Sequence, residues 1–240
     1  MRSGMIAPCL ALTALAGLAG CAHHPRLNTI TQPPPLPGPK GVVTIDPPPS
    51  AAWRGIASTG DQLLIDALPE RWQAALKVVA RRYPTRLKAE GALLDPAAAL
   101  PLPALTPGSY WCRSIRLGGS IGYATTRPNR CEVAGDDKRQ SLTKQDGVSL
   151  PGGWLYRDDQ PKRLVFLGAV RLRERDAAPG YGAVKGRDVT GVVERVAPFR
   201  WRFVITSPAS RAGQLELYEI LPVPVTAPAS AAAVKPKRPI

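Results

Sequence analysis

Histidine, the side chain whose ordinary pKa lies closest to neutrality, occurs twice in the 240 residues, as the adjacent pair His23 and His24. From residue 25 onward there is no imidazole for base catalysis or metal ligation. Gly118-Gly119-Ser120-Ile121-Gly122 matches the G-x-S-x-G nucleophile elbow, which must open into a helix and find a later histidine. Here Tyr123 to Thr126 reads as extended and no histidine follows, so the segment reads as a glycine-rich hairpin turn. Ser141-Leu142-Thr143-Lys144 matches S-x-x-K, but its alternation reads as a strand, which places Ser141 and Lys144 on opposite faces. Carboxylates remain as acid/base apparatus. A glycosidase requires two of them about 5 to 9.5 Å apart, one with its pKa raised by burial. Glu194, in Val192-Val193-Glu194-Arg195-Val196, is the candidate shielded acid, with Glu90 or Glu132 as partner. The competing reading makes Glu194 a strand carboxylate held by a nearby arginine. No catalytic, metal or cofactor-binding residue is assigned on these patterns, and no cofactor is expected.

The second chemistry-bearing set is the cysteines. Arg2 and the apolar stretch Met5 to Ala19 lead into Leu18-Ala19-Gly20-Cys21, a stretch shorter than the roughly 20 residues a membrane-spanning helix requires. This ending resembles the lipobox of bacterial lipoproteins, in which the cysteine becomes the lipidated first residue of the mature chain. The resemblance implies palmitate and related acyl chains on Cys21, a signal peptide over residues 1–21 that ends at the lipobox cysteine and is cleaved just before it, and a stable anchor, because two acyl chains already suffice. Residue 22 is Ala, not the Asp that retains such lipoproteins in the inner membrane, so the expected location is the periplasmic face of the outer membrane.

Cys9 leaves with the leader and Cys21 carries lipid, so Cys112 and Cys131 remain alone in an oxidising compartment. They are expected to form a disulfide bond, the alternative being two buried free thiols. Closing that loop stabilises the fold by roughly 3 kcal/mol.

These residues sit in a chain of uneven composition. Residues 22–52 carry Pro33-Pro34-Pro35-Leu36-Pro37 and Pro47-Pro48-Pro49 and read as a polyproline-like linker with a reach of roughly 90 Å. Residues 222–240, rich in Pro, Ala and Lys, read as a disordered basic tail. Between them, residues 53–106 read as helical. Leu68, Trp72, Leu76 and Val79 recur at helical spacing, Pro69 suits a first turn, and Pro84 ends the run. A short helix is expected over 61–68 and another over 85–90, stopped by Gly91, with Asp95 capping a turn that begins at Pro96.

From residue 107 to 221 the period falls to two, most clearly in Arg200-Trp201-Arg202-Phe203-Val204-Ile205. Further strands are expected over 110–117, 130–133, 140–144, 153–157, 163–171, 188–196 and 214–220. Strands that follow one another without helices pair antiparallel, and closure removes their edges. The expected fold is therefore α+β: an N-terminal helical segment packed on, or across one end of, a small antiparallel up-and-down β-barrel of about eight strands, bearing the disulfide.

Glu90-Gly91-Ala92-Leu93-Leu94-Asp95-Pro96, Pro107-Gly108-Ser109-Tyr110-Trp111-Cys112-Arg113, Pro151-Gly152-Gly153-Trp154-Leu155-Tyr156, Val165-Phe166-Leu167-Gly168 and Val193-Glu194-Arg195 together resemble a bacterial lipoprotein family described as domain of unknown function 4893. The resemblance spans roughly residues 53–221 and implies no activity. A looser, architectural likeness to small disulfide-bearing barrel inhibitors of secreted metalloproteases carries no function by itself.

The formal charge of +14 is not confined to the tail: residues 53–221 hold 26 Lys and Arg against 17 Asp and Glu. In a cytosolic protein such basicity would suggest nucleic acid. The leader removes that partner and leaves the membrane, reached through the N-terminal lipid, and an anionic envelope component or envelope protein. Arg171, Arg173 and Arg175 alternate along one segment expected to be extended, and with Trp154, Tyr156 and Tyr181 they form the expected binding surface. The resulting expectation is a membrane-anchored periplasmic lipoprotein acting as a noncatalytic binding or inhibitor module. The alternatives are a carboxylate-dependent envelope glycan hydrolase and a structural envelope lipoprotein.

Overall fold

The computed structural model describes residues 52–136, 138–206 and 214–224. The expected leader with Cys21, nearly all of the expected linker, and the expected tail beyond residue 224 lie outside the described residues.

Four helices come first: α1 (Trp53–Ile56), α2 (Thr59–Asp66), α3 (Leu68–Ala80) and α4 (Pro84–Glu90), followed by 3-10 turns at Gly91–Leu93 and Pro96–Ala98. Ser58 starts α2 by accepting from the Asp61 amide at 3.1 Å, and Asp95 caps the second 3-10 turn by accepting from the Ala97 amide at 2.9 Å. Prolines stand in the first turns of α3 and α4, where their missing N–H costs nothing. On α3 the buried residues are Leu68, Trp72, Ala75 and Val79, one stripe of the helix. The expected helix over 61–68 lies two residues earlier, and α1 is an additional turn whose four residues are too few to show a period.

Nine strands follow: β1 (Gly108–Gly118), β2 (Gly122–Thr125), β3 (Asn129–Gly135), β4 (Gln140–Lys144), β5 (Leu150–Arg157), β6 (Arg163–Arg171), β7 (Asp188–Ala197), β8 (Arg200–Ile205) and β9 (Gln214–Pro222). All neighbouring pairs are antiparallel, and β9 pairs with β1 from Gly118↔Gln214 to Tyr110↔Pro222. That pairing closes an eight-stranded up-and-down barrel, with β2 as a ninth strand on the second half of β1, where β3 no longer reaches. The β1–β2 turn is the glycine-rich segment, with positive φ at Gly118, Gly119 and Gly122. It is a hairpin and not an elbow, as the missing helix and histidine require.

The helices pack on the outside of the barrel, so both faces of several strands are apolar. Ile115, Leu117, Val165, Leu167, Val192, Val204, Leu215 and Leu217 point outward into one core with Trp53, Leu68, Trp72, Ala75 and Val79. Tyr110, Cys112, Cys131, Val133, Leu142, Leu155, Phe166, Val193, Trp201, Phe203, Tyr218 and Ile220 fill a second core inside the barrel. Cys112 and Cys131 lie at disulfide distance on the paired strands β1 and β3, bonded, with Cα atoms 5.9 Å apart. Inside, Phe203 packs on Phe166 and stacks on Tyr218, with ring centroids 4.6 and 5.9 Å away, while Tyr110 meets Trp201 edge to face at 6.0 Å. Gly191 makes room for this column: a Cβ there would come within 2.7 Å of the Phe203 ring.

One end of the barrel is sealed by the segment after the helices. Leu100 bridges to Arg195, and Leu105 is buried in the interior core. The Trp201 indole donates to the Pro103 carbonyl at 3.1 Å, the Gln140 amide to that of Leu105 at 2.5 Å, the Tyr110 hydroxyl to that of Thr106 at 2.5 Å and Arg195 to that of Pro101 at 2.6 Å. Residues 100–106, expected as the end of the helical segment, therefore form the floor of the barrel.

Candidate binding site

An eight-stranded barrel is just wide enough either to fill with side chains or to hold one small ligand. This barrel is filled by side chains toward one end only. The aromatic column and the 100–106 segment fill the closed end, and among the described residues a cavity of about 330 Å³ remains at the opposite end. It is lined from the C-terminal part of β1 (Arg116), the loop before β5 (Ser149), the end of β6 (Val170), the residues entering β7 (Arg187, Val189) and the facing ends of β8 and β9 (Ile205, Glu216).

The inward-facing series on β1 runs Tyr110, Cys112, Ser114, Arg116, and on β9 it runs Ile220, Tyr218, Glu216, so along both strands the interior changes from apolar to polar toward the open end. Glu216 accepts from the Ser114 hydroxyl at 3.3 Å and from the Tyr218 hydroxyl at 3.2 Å. Burial, together with the Glu216 charge, holds the Tyr218 phenol well above its ordinary value of 10.0, so it stays protonated. Beneath the cavity, Lys144 is 3% exposed and donates to the carbonyls of Asp146 and Val148 at 2.7 and 2.8 Å, which ties the β4–β5 loop to the barrel wall. Burial lowers its pKa, partly offset by the nearby carboxylates of Asp146 and Glu216. Ser141 points outward from the same strand, so the S-x-x-K pair is split across the wall, as the alternation requires.

The carboxylates considered for catalysis stand elsewhere, outside the barrel: Glu194 on the outer face of β7, Glu90 on α4 and Glu132 on β3. Arg163, Glu194, Arg202, Glu219 and Arg113 occupy one register row across β6, β7, β8, β9 and β1, alternating in charge. Asp158 joins one end of the row through an ion pair with Arg163, and Glu90 of α4 joins the other through Arg113 at 2.6 Å. Glu194 accepts from Arg202 at 2.7 Å, the arrangement in which it is a strand carboxylate held by an arginine. Arg202, with a side chain wholly buried, donates further to the carbonyls of Ala92, Leu93, Asp95 and Pro96 and lies 4.4 Å from the Trp72 ring centroid. Glu90 also accepts from Tyr123 at 2.5 Å, and Glu132 accepts from Ser109 at 2.8 Å. The row pins the helical segment to the barrel. Among the described residues no group of three His, Cys, Asp or Glu side chains is arranged to hold a metal ion.

A family model described as Domain of unknown function (DUF4893) matches residues 53–220, from the first residue of α1 into the last strand. The chain belongs to this family. None of the curated proteins matches the chain. In this DUF4893 domain the residues expected to form one binding surface are dispersed. The expected extended run through Arg171, Arg173 and Arg175 is corrected: β6 ends at Arg171, whose side chain is buried and donates to the carbonyls of Lys144, Glu174 and Asp176, while Arg173 and Arg175 lie in the turns beyond and are exposed. Tyr181 is half-buried against the helices, its hydroxyl donating to Asp61 and accepting from the Ser58 amide. Tyr156 packs against the same helical core, and Trp154, also outward on β5, lies 4.5 Å below the Arg139 guanidinium.

The lining residues Arg116, Arg187, Ser149, Glu216 and Tyr218 of this DUF4893 barrel were not among the expected site residues. The available signal was a switch within one period-two series, from Tyr110 and Cys112 to Ser114 and Arg116, at the far end of a strand whose other face carries Ile115 and Leu117.

Proposed function

We propose that this DUF4893 protein is a lipid-anchored envelope lipoprotein, held by Cys21 at the periplasmic face of the outer membrane, with residues 22–52 as spacer. Its folded part acts as a noncatalytic binding or inhibitor module whose open barrel end receives an envelope partner. The observation that carries this reading is the asymmetry of the barrel: one end is closed by side chains and the 100–106 segment, and the other keeps a cavity of about 330 Å³ with charged and apolar walls. Cavities of this size and mixed lining are typical of sites for small molecules or inserted chain segments.

In-cell photo-crosslinking tests the reading. A crosslinking residue at Ile121, 43% exposed on the cavity rim, is expected to capture an envelope component. One at Leu102, 76% exposed at the closed end, is expected to capture none specifically. Equal capture at both positions, or capture at Leu102 alone, contradicts the reading. Labelling with a palmitate analogue is expected to mark the protein and to disappear in Cys21→Ala; labelling that survives this change removes the anchor.

A further inference from the structure

We infer that the open end of the barrel recognises a small organic anion, a phosphate monoester or carboxylate carried on a compact apolar body. The inference rests on the reading of the cavity as a binding site and names the ligand class. Arg116 is exposed at the mouth and Arg187 half-buried, and both line the cavity. Among the described residues neither guanidinium has a hydrogen-bonding or ion-pairing partner. On the outer face Arg113, Arg163, Arg171, Arg200 and Arg202 each bond to carboxylates or carbonyls.

The two carboxylates that line the cavity, Glu216 and Asp188, keep their charge but are bonded to neither arginine. Glu216 stands opposite Arg116 in the β1–β9 register, yet it accepts from Ser114 and Tyr218, with the buried Lys144 ammonium beneath it. Asp188 accepts from the Gly182 amide at 2.8 Å. Guanidinium groups present planar forks of donors that match carboxylate and phosphate oxygens, so two unengaged ones at a cavity mouth form an anion receptor. Below them Pro151, Val170, Val189 and Ile205 offer an apolar wall. The volume, about 330 Å³, lies at the small end of the roughly 300–1,000 Å³ range of small-molecule sites. A lipid with full acyl chains exceeds this, whereas an aryl phosphate or an arylacetate fits.

The test is calorimetric titration of the full chain at low ionic strength with phenyl phosphate, phenylacetate, inorganic phosphate, benzyl alcohol and benzylammonium, repeated on Arg116→Gln, Arg187→Gln and the cavity-filling Val170→Phe. Phenyl phosphate or phenylacetate, or both, is expected to bind saturably, which separates the two anion chemistries. Either arginine change is expected to weaken that binding at least tenfold without altering the melting temperature, and Val170→Phe to block it. Inorganic phosphate is expected to bind more weakly than phenyl phosphate for lack of a body. If benzyl alcohol or benzylammonium binds as tightly as the anions and Val170→Phe blocks it, the cavity is a binding site and the anion inference is overturned. Binding of the anions that is indifferent to Arg116 and Arg187 overturns it as well. If no organic probe binds up to millimolar concentration, the reading of the cavity fails together with the inference.

Discussion

Glu194 and Arg202 face each other across the β7–β8 pairing, joined at 2.7 Å on the outside of the barrel, with Trp72 over the guanidinium. The arginine is wholly buried and the carboxylate side chain 13% exposed, so removing the charge of one breaks an ion pair in a poorly solvated layer and leaves the other with one fewer counter-charge. Glu194→Gln is therefore expected to cost about 3 kcal/mol in urea unfolding while leaving binding at the open end unchanged. Turnover of purified cell-wall material by the wild-type protein, lost in Glu194→Gln without loss of stability, would instead restore this carboxylate as a catalytic acid.

The Cys112–Cys131 bond ties β1 to β3 inside the barrel across a sequence separation of 19 residues. Reduction, or the double change Cys112→Ala with Cys131→Ala, is expected to lower stability by about 3 kcal/mol. Thermal melts with and without reductant measure the loss. Non-reducing mass spectrometry should recover one linked peptide, and two alkylatable thiols would refute the pairing.

Acid should release the helices from the barrel through Glu90. Burial alone would raise its pKa, but hydrogen bonds from Arg113 and Tyr123 outweigh burial and hold it below its ordinary 4.5. A carboxylate depressed in the folded state contributes stability that is present above its unfolded pKa and lost as pH falls through the folded one. Urea midpoints should accordingly decline as pH drops below about 4.5, and Glu90→Gln should be less stable at neutral pH and show a shallower acid decline. An acid profile identical in the two proteins would contradict this.

Alkali acts on the tyrosines with the opposite sign. Tyr123 and Tyr156 are pushed up to about 12, and Tyr110, Tyr181 and Tyr218 are raised as well, in each case with burial as the leading cause. The folded chain keeps these protons where the unfolded chain releases them, so their contribution is full below about 10 and lost as pH rises through the folded values. Tyrosinate absorbance should appear together with loss of circular dichroism in that range. Early ionisation of all the tyrosines without unfolding would show that they are not shielded.

Much of the architecture is legible from residue order because strand periodicity and proline placement act locally. Gln140–Lys144 and Arg163–Arg171 begin and end where alternation and turn chemistry place them, and Pro69 stands in the first turn of α3. The two short additions, α1 and β2, are fixed by packing and by the β1 edge that β3 leaves open, not by any period of their own. Strand faces are less legible than strand positions. Helices cover the outside, so Leu164 to Leu167 is apolar at every position and alternation cannot say which residues line the interior. The site is the least legible part, because Arg116 on β1 and Arg187 in the loop before β7 line one cavity only once the barrel closes. The expected Arg171 to Arg175 stripe failed for a related reason: β6 ends at Arg171, and backbone carbonyls of the turns beyond take up its guanidinium.

The most direct measurement is a methyl and amide NMR titration of the full chain with phenyl phosphate. Saturable shifts are expected at Val170, Val189 and Ile205, which line the open end, with unchanged signals at Leu105, Val133 and Trp201 around the closed end. Shifts confined to the closed end or to the outer face at Arg173 and Arg175, with Val170, Val189 and Ile205 unmoved, would contradict a binding site at the open end.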